Sequence, residues 1–260
     1  MTVFFIRRVS QSIIVLFVMS ILVFVGVYAI GNPVDILISQ DATQQEIQQA
    51  TKAFGLDRPL WNQYVTFLLK ALRGDLGDSF VFNEPALVLI LKRMPATLEL
   101  AFSAIFIAVL IGIPLGLIAG LIPESITARS IMTGSILGFS LPTFWVGLML
   151  IMVFAVMLGW LPASGRGSTV DVLGVPVSFL TLDGLAHLLL PAINLALFKW
   201  ALVIRLTRAG VREELPMDYI KFAYAKGISA PRVIFVHILK NILIPIVTVL
   251  GLELGNIIAF

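Results

Sequence analysis

MDYIKFAYAKGISAPRVIFVHILKN, residues 217–241, is the stretch on which the reading of this chain turns. It carries Asp218, Lys221, Lys226, Arg232, His237 and Lys240 amid long apolar runs, with Gly227 and Pro231 in the middle. Tyr219, Phe222, Ala223 and Lys226 share one helical face, and Ile220, Tyr224 and Gly227 lie near another. Gly227 is placed to end that helix. Ser229, with Ala230 and Pro231 behind it, is placed to cap a second helix running through VIFVHILKN. The spacing therefore predicts a short helix, a tight turn and a helix that enters a bilayer. Small residues at Ala223, Ala225 and Gly227 leave a shallow surface open to a partner. A surface helix meeting anionic lipid head groups has the same composition, so periodicity alone leaves both readings open.

The rest of the chain explains why a bilayer is invoked. Of 260 residues, 59% are hydrophobic and only 13% charged, with a mean hydropathy of +1.02. A soluble domain carries about 25% charged residues, so this is a membrane composition. The chain has no Cys, which excludes disulfides, thiolate metal sites and thiol nucleophiles. Five apolar runs suit spanning helices: 9–30, 96–122, 131–160, 185–206 and one from Ile242 to Phe260. The first is too long for a signal-peptide core and ends at no small-residue cleavage site, so it is read as a retained span.

Basic residues orient the spans. Arg7 and Arg8 precede the first. Arg129 lies between the second and third. Arg205, Arg208, Arg212, Lys221, Lys226, Arg232 and Lys240 lie at or between the ends of the fourth and fifth. Five alternating spans put all of these on one side, and the short opposite loop 161–184 carries only Arg166. The N-terminus and the 217–241 stretch are expected in the cytoplasm, and residues 31–95 outside.

The domain reading is 1–30 as N-terminus and first span, 31–95 as an external helical segment, and 96–260 as the membrane core. The core's cytoplasmic loop lies at about 207–241. In the external segment, Thr43 and Glu46 form a capping box and Gly55 is placed to end that helix. Pro59 suits a first turn, followed by an apolar face of Trp61, Tyr64, Val65, Leu68, Leu69 and Leu72. An amphipathic stripe shows burial and names no partner.

Inside the spans, Gly112, Gly116 and Gly120 have the small-xxx-small spacing that lets helix backbones approach. SLPTFW, 140–145, breaks the third span beside large aromatics. Gly138, Pro142 and Trp145 are candidates for lining or gating a pathway. Charge at membrane depth is expensive and faces a bundle interior or water. Glu253 is therefore the better acidic candidate for a pathway, while Glu99 is expected to reach the interface and Lys199 to snorkel. His187 and His237 are read as lacking a second His or a carboxylate at ligand spacing, so no metal role is expected. No nucleotide-cradling GxxxxGK[ST], HExxH or GxSxG motif occurs, and no catalytic group is assigned.

DYIKFAYAKGISAPRVIFVHILKNILIPIV resembles the cytoplasmic "EAA" loop of permease subunits of bacterial ABC importers, most closely the dipeptide/oligopeptide branch. FFIRRVSQSIIVLFVMSILVF, GLDRPLWNQY, GDLGDSF, RMPATLELA, GIPLG, SLPTFWVGLMLI, LPASGR and LPAINLAL resemble that branch's recurring segments in the right order. The resemblance covers essentially the whole chain. It implies an all-α, polytopic transmembrane helix bundle that moves di- or oligopeptides by alternating access. It further implies a second permease subunit, two ATPase subunits holding ATP and Mg, a periplasmic solute-binding protein, surrounding membrane lipid and an inner-membrane location. No cofactor is expected in this chain, and no nucleic acid. Asp218, Tyr219, Ala223, Ala225, Lys226 and Gly227 would contact an ATPase as a coupling helix. The sequence departs from the general motif at Lys221, where Glu is usual, and in the longer spacing to Pro245. The family has six spans, so the end at Phe260 within the fifth is expected to be a truncation.

Relatives of this framework carry nickel chelates, glutathione or small glycosides, and these remain alternatives to peptide. A channel or secondary transporter would predict inverted repeats with paired broken helices, which the sequence lacks. An assembly subunit with no pathway would tolerate charge at Gly138, Pro142 and Glu253.

Overall fold

A computed structural model describes residues 2–30, 45, 51–52, 56–79, 82 and 84–259. The Thr43–Glu46 capping box, Gly55 and Phe260 lie outside the described residues. The chain divides into two compact units, Met1–Lys92 and Arg93–Phe260.

In the first unit, helix α1 is Thr2–Ile30 and helix α2 is Leu60–Ala71. Pro59 precedes α2 as its N-cap, and its carbonyl accepts from Asn62 N at 2.9 Å. The two helices meet through Tyr64, whose hydroxyl lies 2.8 Å from Ser20 Oγ. The Phe24 ring stands edge-on to Tyr64 at 5.4 Å. The face that packs is Tyr64 with half-buried Val65, Phe67 and Leu68, whereas Trp61, Leu69 and Leu72 are exposed. The apolar stripe of α2 is thus wider than the surface it buries here.

In the second unit the spanning helices are α3, Ala86–Leu121, which begins in the first unit, α6, Leu182–Glu214, and α8, Ala230–Ala259. Between them lie α4, Ile126–Ser140, and α5, Thr143–Met157. The run read as one third span is bent by 101° between α4 and α5. The cause is local: Leu141 and Pro142 are extended, with ψ of 140° and 133°, and Pro142 starts α5 instead of continuing α4. The last part of α5, Ile151–Met157, widens to a π-helix. Ser125 caps α4, its side chain accepting from Ala128 N at 3.0 Å.

Helix α6 is the hub. A Cβ on Gly112 would lie 2.7 Å from Val203 Cβ, on Gly116 2.5 Å from Thr207 Cβ, and on Gly120 2.7 Å from Val211 Cβ. Each step of four residues along α3 is matched by a step of four along α6, so the two helices run parallel with backbones in close approach. On another face, a Cβ on Gly210 would lie 2.7 Å from Ile242 Cγ2. Lys199, further back on α6, pairs with Glu253, further along α8. Lys199 precedes Gly210 by as many residues as Glu253 follows Ile242, about three helical turns. Both contacts therefore belong to one antiparallel register.

The 161–184 loop holds a feature the sequence reading omitted. Strands β1, Val170–Val172, and β2, Val175–Val177, form an antiparallel hairpin. Its two-residue turn is Leu173 and Gly174, with φ of 56° and 82°. The signal was there in VDVLGVPV, an alternating run around a two-residue turn containing Gly.

Candidate functional site

The loop between α6 and α8 carries the residues expected to meet a partner. Helix α7, Asp218–Ala225, follows a short turn after α6. It ends at Lys226 because Gly227 takes φ of 78°, with no side-chain atom near the place of a Cβ. Gly227 N donates to Tyr224 O at 2.9 Å, and Ile228 N to Ala223 O at 3.2 Å. Ser229 is the N-cap of α8 by backbone, its carbonyl accepting from Val233 N at 3.0 Å, but its side chain makes no cap bond.

Two residues hold α7 down. Ile220 and Ala223 are 1% and 5% exposed and enter one apolar cluster with Leu117, Val211, Val233, Ile238, Ile242 and Ile246. That cluster joins α3, α6, α7 and α8. The rest of the helix faces outward: Asp218, Tyr219, Lys221, Phe222, Tyr224, Ala225, Lys226 and Gly227 are exposed. Of the expected contact residues, Ala223 therefore departs from the group. Its side chain packs beneath α7, one turn from Ile220, and is not on the open face.

Tyr219 ties the start of α7 to both neighbours. Its hydroxyl bonds the Glu214 carboxylate at the end of α6 and accepts from Asn241 Nδ2 of α8 at 2.8 Å. Although the ring is exposed, partial desolvation of its hydroxyl between α6 and α8, with the adjacent Glu214 carboxylate, raises the phenol above its ordinary value. Lys221 Nζ donates to Asp218 Oδ1 at 2.9 Å and lowers that carboxyl, mainly through the hydrogen bond. Lys226 Nζ sits 4.5 Å from the centre of the Phe222 ring. The open face thus offers aromatic area, two lysines and the Asp218 carboxylate that one of them pairs with, on a helix seated by Ile220 and Ala223.

The membrane-depth candidates separate. Glu253 Oε2 accepts from Lys199 Nζ, and both side chains are about four-fifths covered, at 20% and 21% exposure. Lys199 is therefore not simply snorkelling. A Cβ on Gly138 would lie 3.6 Å from Trp200 Nε1, the next residue of α6. Pro142 and Trp145 stand exposed at the α4–α5 bend. Among the described residues, Glu253 pairs with Lys199 and with none of Gly138, Pro142 or Trp145.

Glu99 is enclosed by protein. Its side chain is 7% exposed and takes Arg166 Nη2 at 3.2 Å and Ser178 N at 3.0 and 3.1 Å. Arg166 also donates to Pro176 O at 2.6 Å and to Ser178 Oγ at 3.1 Å. This pair, with Glu99 buried and Arg166 half-buried, latches the β1–β2 hairpin to α3. His187 does have a carboxylate at helical spacing: Asp183 lies one turn before it, with Oδ1 at 3.4 Å from Nδ1. Asp183 is otherwise engaged, its Oδ2 accepting from Ser168 N at 2.6 Å and Ser168 Oγ at 2.5 Å.

A family model for the binding-protein-dependent transport system inner membrane component matches residues 112–260, and its N-terminal counterpart matches residues 1–101. The chain is 37% identical to the di/tripeptide transport system permease protein DppB of Pseudomonas aeruginosa, over 98% of this chain and 80% of that protein. It is 36% identical to the dipeptide transport system permease protein DppB of Escherichia coli, over 98% and 80%. It is 36% identical to the oligopeptide transport system permease protein AppB of Bacillus subtilis, over 99% and 80%.

Proposed function

The chain belongs to the family of binding-protein-dependent transport system inner-membrane components, and on that premise we propose that it carries di- and oligopeptides across the inner membrane in an ATP-driven importer. Its relatives are peptide transport permeases and not enzymes. In this reading α7 is the element through which partner ATPases, binding ATP and Mg²⁺, drive the spanning helices. The carrying observation is the seating of α7. Ile220 and Ala223 lock it to α3, α6 and α8, so a push on the open face moves three helices together.

The same reading places the N-terminus and α7 in the cytoplasm. The parallel run of α3 with α6, and the antiparallel run of α8, support alternating spans with the basic residues on one side. A second permease subunit and an external binding protein complete the assembly. Binding-protein selectivity would set most of the cargo choice.

The test is a gentle detergent purification of this chain from its native membrane, with co-purifying proteins identified by mass. An ATPase, a second permease and a peptide-loaded binding protein are the expected companions. Recovery without any ATPase, or with a binding protein loaded only with a metal chelate or a glycoside, would contradict the proposal.

A further inference from the structure

One edge of α6 carries three cations without an answering anion. Arg205, Arg208 and Arg212 follow one another at steps of three and four, so they form a single stripe. Val203, Thr207 and Val211, which face α3, and Gly210, which faces α8, lie on other sides of the helix. Among the described residues no carboxylate pairs with any of the three arginines. Glu213 is next to Arg212 in sequence and so points elsewhere, and Glu214 is engaged by Tyr219.

Two of the guanidiniums are held in place. Arg205 Cζ lies 5.5 Å from the centre of the Phe139 ring of α4. Arg208 is half-buried, with its Nε sealed from solvent and unpartnered. That Nε can meet no ligand, so the charge is presented through the two Nη groups at the open end, which no described residue answers. Arg212 is exposed. Guanidinium forks match phosphate oxygens two at a time.

The level of the stripe names the phosphate. The apolar run 185–206 ends one residue after Arg205. The run that begins at Ile242 starts level with Gly210, and the run that ends at Ile122 passes Val211 at Gly120. Together the three spans put the edge of the hydrocarbon between the levels of Leu206 and Glu213, a zone of about 10 Å at 1.5 Å per residue. The headgroup layer of one leaflet is itself roughly 5–8 Å thick. Arg205, Arg208 and Arg212 therefore stand in or beside the lipid phosphates, at a depth where an unanswered charge is costly. Apolar surface continues inward from them. Ile136 and Phe139 of α4 are exposed, and Phe139 also meets Phe198, two turns deeper on α6 than Arg205. A charged end followed by an apolar wall fits an amphiphile. We infer that the stripe binds one anionic phospholipid of the leaflet on the α7 side, its phosphate on Arg205, Arg208 and Arg212 and its acyl chains along Ile136 and Phe139.

The experiment uses the assembled importer, exchanged into phosphatidylcholine and titrated with phosphatidylglycerol, with bound lipid counted by native mass spectrometry. One phosphatidylglycerol should be retained against excess phosphatidylcholine. The Arg205→Gln/Arg208→Gln/Arg212→Gln variant should weaken its binding several-fold. Arg232→Gln/Lys240→Gln, which removes two exposed charges from the loop side of α8, should leave it unchanged. If the triple variant fails to assemble, Arg208→Gln alone carries the test, with a partial loss expected. No preference for phosphatidylglycerol, unchanged binding in the arginine variants, or an equal loss in the Arg232→Gln/Lys240→Gln variant would overturn the site. Displacement of the lipid by inorganic phosphate or by alanyl-alanine would also overturn it, assigning the stripe to a free anion or to a cargo carboxylate. Retention by the isolated chain but not by the assembled importer would overturn it too, assigning the stripe to a partner subunit.

Discussion

Lys199 of α6 and Glu253 of α8 form an ion pair whose register is set by the Gly210–Ile242 contact about three turns away. The pair and that contact clamp α6 and α8 at two levels, with α7 beyond the second. Two charges so largely withdrawn from solvent cost free energy unless each answers the other. Removing one partner is expected to cost about 3 kcal/mol, while exchanging both should restore most of it. Lys199→Ala and Glu253→Ala should each lower uptake per ATP hydrolysed, and the Lys199→Glu/Glu253→Lys double variant should recover it. Additive losses in the double variant would show separate roles.

The α3–α6 seam predicts a graded response to single methyl groups. Gly116→Ala places a Cβ 2.5 Å from Thr207 Cβ and 2.9 Å from the Ile204 carbonyl, neither of which can swing away. The expected loss is about 1–3 kcal/mol, read as a lower melting temperature in detergent. Gly134→Ala, with nothing within 4 Å of the new atom, should leave melting unchanged or raise it slightly.

The hairpin latch predicts a second contrast. Arg166→Ala leaves Glu99 buried without its cation and should cost about 3 kcal/mol. The Glu99→Gln/Arg166→Gln double variant removes both charges and should melt closer to wild type. Equal melting of single and double variants would mean the charge pair is unimportant to the loop.

These relationships were unequally legible in the sequence. Gly112, Gly116 and Gly120 announce a close helix contact by their spacing, and the structure supplies the partner residues. Gly227 announces the end of α7 because only a residue without a Cβ takes its backbone angle readily. The SLPTFW break was visible, but Pro142 alone did not say that the chain turns by 101°. Lys199 and Glu253 were unreadable as a pair, since their meeting depends on the register of two helices set by Gly210. Ala223 looked like docking surface because it is small. Its burial follows from which side of α7 Ile220 occupies, and periodicity gave two faces without choosing between them.

Tyr219 predicts a pH dependence. Its phenol is raised in the folded protein by partial desolvation of the hydroxyl and by Glu214, so the folded state favours the neutral form. That contribution is fully present below the unfolded value near 10 and is lost as pH rises through the higher folded value. Thermal stability should therefore fall above about pH 10, and Tyr219→Phe should remove that part of the fall. An ultraviolet titration should show one phenolate appearing late in the wild type and missing from the variant.

Gly227→Ala should cost about 1 kcal/mol or more, because the left-handed backbone at φ 78° disfavours a Cβ even where there is room. Gly227→Asn, which tolerates that region, should retain more uptake than Gly227→Ala at equal amounts of protein in the membrane.

The seating of α7 is the claim on which the transport account depends, and site-directed cross-linking tests it most directly. In the assembled importer, Ala225→Cys lies on the open face and Ala223→Cys beneath it. A short thiol cross-linker is expected to join Ala225→Cys to the ATPase in high yield and Ala223→Cys hardly at all. Cross-linking at Ala223 with none at Ala225, or at neither, would contradict the account.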